Sequence, residues 1–269
     1  MNQETLDLLA HKAEVKVETL NDSKIKYIVS SIFAGMFIGL GCILIFTIGG
    51  MFHASNFSGT NLLVGISFSF ALSMVILLGY ELFTSNTMVM VVGSLAKAVS
   101  VKDTCRILLY SYGGNLLGAL LVSGLFIGTG MGSTGSTIEY FAYAAAHKIE
   151  TGSVQLIFQG ILCNILVCAS VLGAYKTKDE AGRILVVFLC LFAFVTSGFQ
   201  HCIANMTTLI TCLLSPLPNT VTIGAAASHI LFVTIGNIIG GGLFLGAGTY
   251  LLSNKEKTKK NKEQLSKAC

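Results

Sequence analysis

The sequence predicts an all-α integral membrane protein of six transmembrane helices, built as an inverted 3+3 repeat with its second and fifth helices broken. Three observations carry that prediction. Hydrophobic residues make up 53% of the 269 and charged residues only 11%, whereas soluble domains carry about 25% charged residues. The apolar residues form runs at or above the ~20 residues that a bilayer-spanning helix needs. Two of those runs are too long for one ordinary helix, and both carry the same polar interruption.

The expected spans cover residues 27–50, 61–96, 105–130, 153–175, 184–214 and 222–252. The first is a plain apolar run. The second contains residues 79–86, Gly-Tyr-Glu-Leu-Phe-Thr-Ser-Asn. The fifth contains residues 198–205, Gly-Phe-Gln-His-Cys-Ile-Ala-Asn. Each puts polar groups at membrane depth, where unpaired backbone and side-chain dipoles are costly. Each span is therefore expected to be two half-helices around a break. The third and sixth spans share a second echo, Gly114-Asn-Leu-Leu-Gly-Ala119 and Gly236-Asn-Ile-Ile-Gly-Gly241, which reads as close helix packing through Gly-x-x-x-Gly. The offsets are 119 and 122 residues. Three spans per half is an odd number, so the second half enters from the opposite face.

Every Lys and Arg except Lys148 falls in the tails or in the second-to-third and fourth-to-fifth loops. The positive-inside rule then puts both termini in the cytoplasm of a bacterial inner membrane. The domain plan is residues 1–26, an amphipathic cytoplasmic helix with Leu6, Leu9, Ala13 and Val17 on one face; 27–252, the membrane domain; and 253–269, a basic cytoplasmic tail. Residues 131–152 read as a long outer loop holding Lys148. The net charge of +4 sits in tails and loops and points to no nucleic-acid partner. The eight Cys lack zinc or Cys-x-x-Cys spacing, so neither metal nor other cofactor is expected. The absence of His-Glu-x-x-His, paired carboxylates or a haem-attachment pattern weighs against a membrane redox enzyme. A neutral-solute channel lacks its Asn-Pro-Ala repeat, since the two Pro are Pro216 and Pro218.

His201, at the second break, can donate a hydrogen bond or carry a charge, and so anchor an anion. Its alternative is a structural His capping freed backbone. Thr84, at the first break, is expected to approach His201, or else to bond back to its own helix. Asn164 is an amide at membrane depth that either faces a pore or bridges helices. Lys148 is either an anion attractor or a solvated loop residue. Glu81 and Gln200, with Asn86 and Asn205, are read as supports of the breaks. Leu82, Phe194, Phe68 and Leu72 are large apolar groups that can narrow a pore, or simply pack.

At these residues the chain resembles the formate/nitrite transporter family. The carrying segments are Glu81-Leu-Phe-Thr-Ser-Asn86, Cys163-Asn164, the stretch from Gly198 to Met206, and Gly236-Asn-Ile-Ile-Gly-Gly241, and the resemblance spans residues 30–252. Within the family it looks most like the hydrosulfide ion channel subgroup. The resemblance implies an aquaporin-like protomer, a homopentamer in the lipid bilayer with one pore per protomer, and passage of small inorganic or carboxylate anions, hydrosulfide, formate or nitrite. It places Thr84, His201 and Asn164 at a central chamber and makes Lys148 the basic residue that primes the anion. Leu82 with Phe194 would form the cytoplasmic constriction, and Phe68 with Leu72 the outer one. One departure stands out: many formate and nitrite members carry Glu immediately before the pore His, where this chain has Gln200.

Overall fold

A computed structural model describes residues 3–53, 55, 57–217 and 221–253, and among these the only regular structure is helical. The basic tail expected at 253–269 lies outside the described residues from 254 onward. Helix α1 (Gln3–Asp22) is followed by α2 (Lys24–His53), α3 (Thr60–Leu77), α4 (Phe83–Leu95) and α5 (Val101–Gly128). The second half runs through α6 (Ser136–Glu150), α7 (Ser153–Lys176), α8 (Glu180–Thr196), α9 (Cys202–Leu214) and α10 (Ile223–Ile238), which continues as a π-helical segment, Ile239–Ala247.

Helices α2, α3, α5 and α7, together with the continuous stretch Ile223–Ser253, are long and apolar enough to cross a membrane. Their outward faces carry exposed Leu109, Leu125, Phe158 and Leu243, the residues a lipid solvent requires. The second span is α3 plus α4 and the fifth is α8 plus α9. Each 13-residue second half, α4 and α9, covers only about 20 Å.

Both breaks have the same physical cause. Gly79 (φ +70°) and Gly198 (φ +75°) take the left-handed conformation that ends α3 and α8. In each case the glycine N–H and the next N–H return to the last turn: Gly79 to Ile76 and Tyr80 to Val75, Gly198 to Val195 and Phe199 to Phe194. Leu82 and His201 then adopt extended backbone and start the second half-helices.

The Gly-x-x-x-Gly echoes do bring helices together. A Cβ on Gly114 or Gly118 would run into Ser31 and the Ile32 carbonyl of α2, and one on Gly236 or Gly240 into the Ile157 and Ile161 carbonyls of α7. In lipid, where burying apolar surface gains little, such contact supplies the packing energy. The expected outer loop is corrected: most of it is α6, whose Ile138, Phe141 and Ala145 are buried. Their spacing of three and four already matched a helix, but the run is too short to register as a span. Helix α1 lays Leu6, Leu9 and Ala13 into a cluster with Met88, Val89 and Val92 of α4.

Candidate functional site

Breaking a helix inside an apolar slab frees backbone groups, and two asparagines take them. Asn115 Oδ1 accepts from Phe83 N (2.9 Å), while its Nδ2 donates to the carbonyls of Glu81 (2.9 Å) and Ser31 (2.7 Å). Asn237 Oδ1 accepts from Cys202 N (2.9 Å), while its Nδ2 donates to the carbonyls of Gln200 (3.0 Å) and Gly160 (2.8 Å). Both are fully buried. They are the asparagines inside the second sequence echo, which sequence reasoning assigns to packing alone. Their polarity within an apolar repeat was the available signal.

Glu81 and Gln200, expected to hold the breaks, head two matching side-chain clasps, and Gln200 also holds its own break directly, its Nε2 donating to the Gly198 carbonyl (3.1 Å). Glu81 accepts from Lys16 Nζ (2.8 and 2.7 Å), Tyr27 OH (2.9 Å) and Asn86 Nδ2 (3.0 Å). Gln200 Oε1 accepts from Lys148 Nζ (2.7 Å) and Asn205 Nδ2 (2.9 Å), and Lys148 donates again to Asn205 Oδ1 (2.8 Å). His229 closes the second clasp: its Nδ1–H donates to the Lys148 carbonyl (2.9 Å), so its Nε2 accepts from Asn205 (2.8 Å). Lys16, Tyr27 and His229 carry no spacing motif, and sequence reasoning passes over them.

The two clasps differ in charge. Lys16 and Glu81 form an ion pair, both largely buried. Burial disfavours the Lys16 ammonium, but the Glu81 carboxylate more than offsets this and holds it above the ordinary lysine value. Lys148, on α6, has only amide oxygens. Burial pulls its ammonium down to about 8, so it is cationic at neutral pH with no carboxylate to cancel it.

Between the clasps, Thr84 Oγ1 lies 3.0 Å from His201 Nε2, and both side chains are buried. The His201 Nδ1 accepts from Ala204 N (3.2 Å), capping α9. That bond sets the neutral tautomer: the proton is on Nε2, which donates to Thr84, leaving the threonine hydroxyl hydrogen for a third group. A doubly protonated ring would forfeit the cap.

A cavity of about 160 Å³ opens on the His201 side, lined by Lys148, Gln200, Phe68, Phe194, Cys42 and Thr208 among others. A second cavity, of about 500 Å³, is lined by Lys12, Lys16, Leu72, Glu81, Ser85 and Arg183. Val195 lines the first and Arg183 the second, near opposite ends of α8. Glu81 and Ser85, which flank Thr84, line the second cavity while His201 lines the first, so the Thr84–His201 pair stands between them. Two of the four large apolar residues share a cavity. Phe68 meets Phe194 edge to face at 6.0 Å in the α6-side cavity, and Phe194 stacks 6.2 Å from His201. Leu72, one turn beyond Phe68, lines the α1-side cavity instead. Leu82 is fully buried at the first break.

The family model for formate/nitrite transporters matches residues 3–251. The chain belongs to the formate/nitrite transporter family. Its relatives include an uncharacterized transporter, YwcJ, of Bacillus subtilis (strain 168), 34% identical over 94% of this chain and 99% of the relative. The nitrite transporter NirC of Escherichia coli (strain K12) is 34% identical over 84% of this chain and 83% of its own. A solved structure described as an FNT family ion channel superposes with a TM-score of 0.88 at 32% identity, covering 93% of this chain and 99% of that one. A pentameric formate channel with formate bound gives a TM-score of 0.75 at 27% identity, covering 85% and 96%. Both the all-helical fold and membership of a transporter and channel family rather than an enzyme family rest on these matches.

Within this formate/nitrite transporter fold, Asn164 bridges helices. Its Nδ2 lies within reach of the Thr84 carbonyl (3.1 Å), Thr87 Oγ1 (3.0 Å) and the Asn237 carbonyl (2.6 Å). Thr87 Oγ1 and Cys168 Sγ also donate to the Thr84 carbonyl. Gly241 of the π-helical segment makes room for this node, because a Cβ there would strike Thr87, Asn164 and Cys168. Asn164 thus holds the backbone of the residue whose hydroxyl meets His201. Among the described residues, no group of three His, Cys, Asp or Glu side chains could hold a metal ion.

Proposed function

We propose that this protein is a selective pore for small monovalent anions of weak acids, hydrosulfide foremost, with formate and nitrite as further permeants. The observation that carries this reading is the Thr84–His201 pair, which separates two cavities, the narrower of them lined by the uncompensated Lys148. An anion entering the α6-side cavity gains the field of Lys148. Passing Phe68 and Phe194 strips it of water, a large cost for a bare charge in an apolar passage. The Thr84 hydroxyl hydrogen is the donor left to offset part of that cost, and the His201 Nε2–H joins it by turning from Thr84 to the anion. A weak acid has a second route, because a proton gained from water or a side chain makes it neutral for the dry crossing. Chloride has no such route.

The preference for hydrosulfide rests on Gln200. A Glu there would pair with Lys148 as Glu81 pairs with Lys16, and the cavity would lose its net charge. By likeness to the pentameric formate channel, the chain forms a homopentamer with one pore in each protomer. The placement of Lys and Arg supports a cytoplasmic side for α1 and both termini in a bacterial inner membrane, and with it the plan of residues 1–26 as a cytoplasmic helix, 27–252 as the pore and 253–269 as a basic tail.

The deciding experiment is uptake by proteoliposomes of hydrosulfide, formate, nitrite and chloride in parallel, across a pH series. Hydrosulfide passing as fast as any other supports this reading. Formate or nitrite passing with hydrosulfide excluded leaves a formate or nitrite transporter, with proton coupling as its mechanism. Equal passage of chloride counts against weak-acid selectivity altogether.

A further inference from the structure

The two cavities differ in size and charge in a way that a single permeant does not explain. The α6-side cavity holds about 160 Å³ and one cation. The α1-side cavity holds about 500 Å³ and has three cations on its wall, Lys12, Lys16 and Arg183. Glu81 cancels Lys16 at 2.7 Å. Lys12 and Arg183 have no carboxylate partner among the described residues. Arg183 donates through Nε to the Thr177 carbonyl (2.9 Å), which leaves its two terminal amino groups for a ligand. The Lys12 ammonium lies 5.5 Å from the centre of the Tyr175 ring, and Tyr175 lines the same cavity. Its hydroxyl has no hydrogen-bond partner among the described residues, so a phenolic donor stands beside the two cations.

We propose that the α1-side cavity is a second anion site, which takes a divalent oxyanion of the phosphate type through Lys12, Arg183 and the Tyr175 hydroxyl and there obstructs the pore. Two uncancelled cations match a dianion, and a guanidinium fork with two free amino groups suits an oxyanion's several acceptors. The cavity is roomy enough for such a group, while the narrower cavity beyond the Thr84–His201 pair, with a single cation, is matched to a smaller monovalent one. The oxyanion therefore binds and stays. This rests on the pore reading above, and its effect is one-sided.

The test measures nitrite flux in right-side-out and inverted membrane vesicles containing the full chain, with inorganic phosphate added outside and chloride at matched ionic strength as control. Phosphate slows flux when it faces α1, has no effect when it faces α6, and loses its block in the double variant K12Q/R183Q, each block taken as a fraction of that protein's own unblocked nitrite flux. Block of equal strength from both faces, no block from either, or block that survives the double variant overturns the site. If the parent protein carries no nitrite, nitrite drops out of the permeants proposed above and its flux no longer reads the site. Equilibrium dialysis of radiolabelled phosphate against detergent-solubilised parent and K12Q/R183Q protein then decides the site: binding lost in the variant sustains it, and equal or absent binding removes it.

Discussion

Leu82 and His201 occupy equivalent positions in the two halves of the molecule, 119 residues apart, and only one of them can hydrogen-bond. Each takes extended backbone and opens a 13-residue half-helix. Leu82 offers α4 no side-chain cap, whereas His201 caps α9 through Nδ1 and turns Nε2 toward Thr84. The Thr84–His201 contact thus arises from a mismatch within the repeat. Replacing His201 by Ala removes both the cap, worth about 1 kcal/mol, and the donor. We expect H201A to fold and assemble while its anion flux in proteoliposomes falls by roughly tenfold or more, as for the loss of a buried hydrogen bond to a charged group. An unchanged rate and unchanged selectivity in H201A would remove His201 from the permeation path.

Lys148 predicts a pH dependence. With its ammonium pulled down to about 8 by burial, the side chain is cationic below that pH and neutral above it. Formate, an ordinary carboxylate, stays ionised throughout this range. Formate flux driven by a concentration gradient should therefore fall as pH rises through about 8, and K148Q should be slow at all pH values with that step gone. A step that persists in K148Q would assign the titration to another group.

The Lys16–Glu81 pair is largely buried, so removing one partner strands the other. E81A leaves an unpaired ammonium together with Tyr27 and Asn86, and we expect it to lose about 3 kcal/mol of stability. E81Q should lose much less, since the amide oxygen still accepts and the arrangement then mimics Lys148–Gln200. Thermal unfolding of the two variants in detergent makes the comparison. Equal losses would mean that packing, not charge, dominates the clasp.

Asn115 and Asn237 make parallel predictions. Alanine at either position leaves one backbone N–H, that of Phe83 or Cys202, and two carbonyls without the partner they have now. Each orphaned buried group costs about 1–3 kcal/mol. Both variants should be poorly folded, to similar degrees, when assayed by monodispersity after extraction. A well-behaved N115A or N237A would show that water replaces the amide at that break.

Gly241 tests the node behind Thr84. Overpacking a tight site costs about 1–3 kcal/mol, and here the displaced atoms include Asn164 and Thr87, which hold the Thr84 carbonyl. G241A should lower both stability and flux. Gly248, where an added Cβ meets nothing within 4 Å, provides the control: G248A should match the parent in both assays.

The spans, the two breaks and the approach of Thr84 to His201 were legible because composition, run length and internal repetition survive in a linear reading. Helix α6 was not, because a 15-residue amphipathic helix between spans resembles a polar loop with some apolar residues in it. The edge-to-face meeting of Phe68 with Phe194 depends on how far α3 and α8 slide past each other, which no local pattern records. The clasp partners Lys16, Tyr27 and His229 reach the breaks from distant elements, 65, 54 and 24 residues away from the groups they meet. Asn115 and Asn237 were visible as letters but not as function, since the glycines around them explained the motif without them.

An antiparallel duplication builds a passage with the same framework read from either face, and such a framework has no built-in direction. Direction resides in the positions where the two copies disagree: Glu81 against Gln200, Leu82 against His201, Thr84 against Ile203. The positions that agree, Gly79 with Gly198, Asn86 with Asn205 and Asn115 with Asn237, keep the architecture. Sidedness is thereby written in a few substitutions on a shared framework, and two of them, Glu81 and His201, also support the fold through the clasp and the α9 cap.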